Sequence, residues 1–384
     1  MLDINQLKQT VVDSPAMVFD FGEINRVLSC LTAIKAASGC QVLYSIKALP
    51  LLAVLQWIKP EVDGFSASSL FEARWAEEVL SGLGAIHLTT PGAKPEESGK
   101  LSRLCSHISA NSLNQFRVFH NHTEKSASLG LRINPELSFC SDVRFDPCRP
   151  FSKLGVTLSE LSRFEKIRQV EGLHFHTVFS AEDYQPLLAT LTKINPWLND
   201  ERLSLKWLNL GGGYCYGNIG DHQPFIEAVR RLIDRHALSV YIEPGNALVR
   251  GGGYLLTTVL DSFERGGMPV AVLDTSVNHL PEVFEYQRPP VLAEHHPDGR
   301  YPVILVGSTC LAGDIFGEFR LRKPLAVGDK LVFRHVGAYS LVKAQRFNGY
   351  NLPTVYLHKA GEYRLVKRYA YEDFRQFWLS NNNE

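Results

Sequence analysis

The chain has 384 residues, 45% hydrophobic and 21% charged, and its 40 lysines and arginines balance 40 aspartates and glutamates. That balance gives no electrostatic reason to expect nucleic acid or an anionic membrane as partner, and no apolar run approaches the ~18 residues of a spanning helix. The seven cysteines are scattered, with no CxxC pair and no Cys/His zinc spacing, and the N-terminus lacks a basic-then-apolar leader pattern, so reduced thiols, no metal and a cytoplasmic location are expected.

The first element in chain order is 16-AMVFDF-21, which reads as a strand with no helix ahead of it. Then 22-GEINRVLSCLTAIKAASG-39 places Ile24, Val27, Leu28, Leu31 and Ile34 on one helical face, with Gly39 as the stop. From residue 41 to 245, eight short apolar runs follow: 41-QVLYSI-46, 62-VDGFSA-67, 85-AIHLT-89, 105-CSHISA-110, 128-SLGLRI-133, 170-VEGLHF-175, 206-KWLNL-210 and 239-SVYIE-243. Most intervening stretches are helical in pattern, such as 69-SLFEARWAEEVL-80 and 223-QPFIEAVRRLIDRHAL-238. Eight strand-helix units predict a (β/α)8 barrel over 22–250, with an open doubly wound sheet as the alternative. After residue 250 the rhythm turns to strands, among them 253-GYLLTTVLDSF-263, 269-PVAVLDT-275, 302-PVILVGS-308, 330-KLVFRHV-336 and 354-TVYLHKA-360. These predict an all-β barrel or sandwich of residues 251–384, joined by the strand in 1–21.

Barrel enzymes carry their chemistry at the C-terminal ends of the strands. Lys47 ends the first run, Ser66 and Ser68 stand at the second, His174 and His176 at the sixth, 211-GGGY-214 at the seventh and 243-EPG-245 at the eighth. Gly211, Gly212 and Gly213 offer no side chain to pack, so their amides are expected to approach an anion, as barrels often arrange after strands seven and eight. A permissive tight turn is the plainer reading. A later run, 251-GGG-253, reads as an interdomain turn. Glu243 ends a buried strand, where a carboxylate must be paired. It either holds a proton on a heterocycle nitrogen or binds a neighbouring arginine. His176 is either a stacking imidazole or a satisfied structural residue, and His174 is read as structural. A phosphate, a heterocycle nitrogen and an amine-reactive aldehyde are the parts of pyridoxal phosphate, with Lys47 as its Schiff-base amine.

The order of Lys47 in YSIKA, His176, 211-GGGY-214, 243-EPG-245, 307-GSTCLAGD-314 and 337-GAYS-340 resembles the fold-type III pyridoxal-phosphate decarboxylases. That family includes the ornithine, diaminopimelate and carboxynorspermidine decarboxylases. The segments 131-LRINPE-136, 148-CRPFSKLGV-156, 271-AVLDTSVNHLPEVFE-285, 307-GSTCLAGDIFGE-318 and 343-KAQRFNGYNLP-353 are most similar to its carboxynorspermidine (carboxyspermidine) branch. The resemblance implies decarboxylation of those substrates to norspermidine or spermidine, in polyamine biosynthesis. Meso-diaminopimelate or an ornithine-like amino acid is the alternative substrate. It implies that Lys47 bonds the cofactor, His176 stacks on the ring and Glu243 pairs with its nitrogen. Gly211, Gly212, Gly213, Gly245 and Tyr339 would hold the phosphate, and Asp63 would orient Lys47 or the ring hydroxyl. Cys310 would reprotonate the α carbon, Asp274 and Asp314 would receive the distal amine, and a homodimer would assemble the site. Four positions depart from the family pattern: Val178 and Phe179 after His176, Asn246 where ornithine-type relatives have arginine, and Ser308 where Pro is usual.

Overall fold

The computed structural model describes residues 2–121 and 127–379. They form two compact units, Arg26–Leu248 and Met1–Asn25 with Val249–Glu384.

The first unit is a closed barrel. Among the described residues its eight parallel strands are Gln41–Ser45, Gly64–Ala67, Ala85–Thr90, His107–Ala110, Ser128–Asn134, Gly172–His174, Trp207–Asn209 and Ser239–Ile242. Each pairs with the next, and the eighth closes on the first through Tyr241↔Gln41 and Ile242↔Val42. All eight predicted runs fall on these strands. They are legible because a parallel strand buried on both faces reads as a continuous apolar run. The lower barrel interior is filled by Trp207, packed with Leu43 and Tyr241. Only glycine fits opposite it: a Cβ on Gly172 would lie 2.0 Å from the indole ring.

The helices follow their patterns. Leu70–Leu80 starts where the Ser69 hydroxyl accepts the Glu72 N–H at 3.2 Å, and it buries Ala73, Ala76, Val79 and Leu80. Gln223–His236 buries Phe225, Ala228, Val229 and Leu232. Each of the Val, Leu and Phe side chains among them contributes about 1.5–3 kcal/mol on burial. Between the fifth strand and Val156, residues 135–155 form an irregular loop. It is tied down by Asn111, which donates to Lys153 O at 2.7 Å and accepts from Gly155 N at 3.0 Å.

The second unit is a mixed sheet. The N-terminal strand Ala16–Asp20 lies between Gly253–Arg265, antiparallel, and Thr354–Lys359, parallel. Met268–Leu273, Tyr301–Val306 and Ile315–Leu321 extend one side, and Glu362–Lys367 the other. Leu7, Val11, Val18, Leu256 and Val332 form part of its core. The strand expectation was too exclusive here. Ile4–Thr10, Glu282–Tyr286, Ser340–Lys343 and Tyr371–Trp378 are helical, short pieces without enough turns to display a period. No helix among the described residues is long and apolar enough to cross a membrane.

Candidate active site

Lys47 sits in the 3-10 turn Ile46–Ala48 that ends the first barrel strand. Ile46 and Ala48 are buried, so the lysine between them faces the other way. The turn is held where Trp75 Nε1 donates to Pro50 O at 2.9 Å, and Ser45 N donates to Pro244 O at 2.9 Å. That second bond stitches the ends of the first and eighth strands together. A cavity of about 380 Å³ opens at this rim, lined by Lys47, Ser66, Arg132, His174, His176 and Glu243, and by Arg144, Arg149 and Lys153 of the 135–155 loop.

The rim is an electrostatic cluster. Lys47 reaches solvent through the cavity yet lies deep among protein atoms. Burial holds its amine below the usual lysine range, Glu243 and Glu72 pull it back up, and Arg132 pushes it down. Burial raises the Glu243 carboxyl, while Lys47, hydrogen bonds from Asn209 and Ser66, and Arg132 oppose that rise. Arg132 itself is pushed down to about 10 by burial. His176 Nδ1 accepts the Gly212 N–H at 3.1 Å, which leaves the hydrogen of the neutral ring on Nε2. Burial, Arg132 and Lys47 all keep that ring neutral. His174 is likewise held neutral, with Nδ1 3.4 Å from the Thr89 hydroxyl.

The glycine run needs a different account from the one its sequence suggested. A Cβ at Gly211 would stand 2.3 Å from Phe175 O, at Gly212 2.2 Å from Glu243 O, and at Gly213 2.3 Å from Val178 O. Close backbone packing therefore requires all three glycines. The Gly211 N–H is taken by Asn209 Oδ1 at 2.9 Å and the Gly212 N–H by His176. Of the run, the Gly213 amide is the one left to meet an anion, together with the Gly245 turn. Beside that turn the side-chain oxygen of Asn246 is buried without a hydrogen-bond partner. A hydrogen-bonded carboxylate, a buried amine of lowered proton affinity and glycine turns that a Cβ would fill, on one rim, fit pyridoxal phosphate. Lys47 would meet its aldehyde, Glu243 its ring nitrogen, His176 its ring face, and the Gly213 and Gly245 backbone its phosphate.

Asp63 is not part of this cluster. It precedes the second strand, at the opposite end from Lys47, where its carboxylate takes Lys35 at 2.6 Å and Val42 N at 2.8 Å. The side chain that reaches Glu243 from this strand is Ser66, at its C-terminal end. Val178 is buried against the Gly213 turn, and Phe179 stacks on Phe145 of the 135–155 loop at 5.2 Å. These bulky residues brace the cavity wall.

The remaining predicted residues belong to the sheet unit. Cys310 is exposed, and its backbone N–H donates to Asn348 Oδ1 at 2.7 Å. Asn348 occupies the left-handed region at φ 55°, which asparagine tolerates. Asp314 is 3% exposed, and both its oxygens are committed: Val277 N donates to Oδ1 at 2.9 Å, and Thr309 donates to Oδ2 from backbone and hydroxyl. It is the hub that ties 274-DTSVN-278 to the Cys310 loop, so it is not a receptor for a substrate amine. Asp274 Oδ1 accepts the Thr257 hydroxyl at 2.6 Å and Thr258 N at 2.9 Å. Tyr339 has φ 63°, and the Lys343 ammonium lies 5.2 Å from its ring centre.

Sequence reasoning missed Arg132, Glu72, Asn209 and the cationic loop. A lone arginine in the apolar run SLGLRI was a signal for the first. The loop has no period to announce it.

The model for pyridoxal-dependent decarboxylases, C-terminal sheet domain, matches residues 17–337. The chain is 31% identical over 383 residues to a carboxynorspermidine/carboxyspermidine decarboxylase of Campylobacter jejuni, covering 94% of this chain and 98% of that one. It is 32% identical to a carboxyaminopropylagmatine decarboxylase of Synechocystis, with 94% of both covered. Among solved structures, carboxynorspermidine decarboxylase from Campylobacter jejuni, complexed with norspermidine, superposes with a TM-score of 0.84 at 29% identity, over 95% of this chain and all of that one.

Proposed function

The chain belongs to the pyridoxal-dependent decarboxylases, and from that premise we propose that it decarboxylates carboxynorspermidine or carboxyspermidine to the corresponding triamine. The observation that carries the chemistry is the shared rim of Lys47, Glu243, Arg132 and His176 around one cavity. The near-full-length similarity to a carboxynorspermidine/carboxyspermidine decarboxylase supports the substrate.

When bound, pyridoxal phosphate supplies an aldehyde that captures the substrate amine and a cationic ring that takes the electron pair left by the departing carboxylate. Lys47 Nζ, held below the usual lysine range, would be the amine that holds the aldehyde. Glu243 holds a proton at the ring nitrogen, and Asn209 and Ser66 keep its carboxylate an acceptor. His176, neutral, covers a ring face without adding charge. Gly213 and Gly245, with the Tyr339 hydroxyl, would bind the phosphate. The Cys310 thiol then gives its proton to the α carbon as the carbon dioxide leaves, and the thiolate regains one from water. Asp274 receives the distal amine. We read the working assembly as a cytoplasmic homodimer in which the sheet unit of one chain serves the barrel of its partner.

The test is a panel of purified, cofactor-loaded enzyme with carboxynorspermidine, carboxyspermidine, carboxyaminopropylagmatine, meso-diaminopimelate and ornithine, followed by carbon dioxide release. The highest kcat/KM is expected for a carboxylated triamine. Turnover of diaminopimelate alone would overturn the proposal.

A further inference from the structure

Asn209 ends the seventh barrel strand with no exposed surface. Its Oδ1 accepts the Gly211 N–H at 2.9 Å. Its Nδ2 donates to Glu243 Oε1 at 2.8 Å and stands 3.4 Å from His87 Nδ1. The orientation of this amide follows from chemistry. A backbone N–H can only donate, so the atom facing Gly211 is the oxygen. Nδ2 must then face Glu243, and with only hydrogens to offer it requires an oxygen that accepts. Its second hydrogen points to His87 Nδ1, which assigns the His87 hydrogen to Nε2. His87 is itself 1% exposed and stacked on His107 at a ring separation of 4.1 Å, with Tyr241 at 4.3 Å. Both N–H donors of the amide and its oxygen are therefore engaged, and the third partner is walled in by rings.

We propose that Asn209 is a positioning residue of the cofactor site. It keeps the Glu243 carboxylate ionised as the hydrogen-bond acceptor of a protonated ring nitrogen, and it ties that carboxylate to the glycine turn, so that the two ends of the cofactor cradle are set by one side chain with His87 as its anchor. The proposal rests on the role of Glu243 given above. A residue that merely capped Gly211 would affect stability and leave the proton affinity at Glu243 alone. Losing the Nδ2 donor removes stabilisation of the Glu243 anion, so Glu243 competes better for the shared proton and the ring nitrogen loses it at lower pH.

Two measurements test this. Apoenzyme is titrated with pyridoxal 5'-phosphate for its Kd, and the absorption spectrum of the loaded enzyme is followed against pH. Asn209→Leu keeps volume and removes all three bonds. It should weaken cofactor binding about tenfold or more and move the spectral titration down by about one pH unit. Asn209→Ser is the second variant, should the leucine form fail to fold, with the same direction expected. His87→Phe leaves the Gly211 and Glu243 bonds in place and should give a smaller shift of the same sign. The proposal is overturned if the Asn209 variants melt at lower temperature yet keep wild-type Kd and spectral titration. Glu243→Gln is the control: if it leaves the spectral titration unchanged, the role of Glu243 fails instead.

Discussion

The barrel rim and the Cys310 loop solve different problems. At the rim, two cations, a carboxylate and two imidazoles are crowded into a cavity, and their proton affinities move with burial and with one another. At the loop the Cys310 thiol is exposed, and hydrogen bonds hold the backbone that carries it. Asp314 accepts the Thr309 amide and Asn348 the amide of Cys310 itself. The difference teaches that burial shifts proton affinity at the rim, whereas an exposed side chain at the loop is fixed in place through its peptide bonds.

The largest expected effect tests the rim. Lys47→Ala should lower kcat on the order of 10³-fold or more and remove the long-wavelength absorption of the loaded enzyme. An unchanged spectrum would place the reactive amine elsewhere and dissolve the contrast.

An intermediate effect tests the loop. Asp314→Ala leaves three donors without an acceptor, and one residue from the barrel rim is not needed for that damage. Denaturant unfolding should show a loss of about 2–4 kcal/mol, with the cofactor Kd of the folded protein preserved. If cofactor affinity falls first, Asp314 has a direct role that its buried position denies.

The smallest effect asks whether proton tuning is confined to the barrel. His107 in the barrel and His279 in the sheet unit are both held down to about 4 by burial, from an ordinary 6.5. Between those values the unfolded chain binds protons that the folded chain refuses. Their contribution is thus present above pH 6.5 and is lost as pH falls through about 4. His107→Phe should reduce this acid loss by on the order of 2 kcal/mol, read from melting curves at both pH limits. A variant with the same pH slope as wild type would break the assignment.

Much of this was legible in the sequence, for reasons that can be named. Buried parallel strands leave apolar runs, so the barrel could be counted, and strand ends then pointed to Lys47, His176 and Glu243. Asp63 and Ser66 show the limit. They lie three residues apart at opposite ends of one strand, and which of them reaches the rim depends on strand direction, not on residue chemistry. Asp314 misled because an aspartate in a loop motif looks available until its hydrogen bonds are seen. The glycines were rightly singled out but for an incomplete reason, since contact with neighbouring carbonyls demands them before any anion does. Asn209 gave no sign at all: inside KWLNL it is one polar letter in a strand, and its importance lies in three partners 2, 34 and 122 positions away.

The 135–155 loop has a consequence for how such an enzyme changes its diet. It leaves the barrel at Asn134 and returns beside it at Thr157, in strand register, with Asn111 clamping the return. Because departure and return are neighbours, each doubling of its length costs only about 0.6 kcal/mol of closure entropy. The segment behaves as an exchangeable cassette. Its Arg144, Arg149 and Lys153 can be replaced together, redrawing the charge of the cavity wall while the catalytic rim beneath is inherited intact.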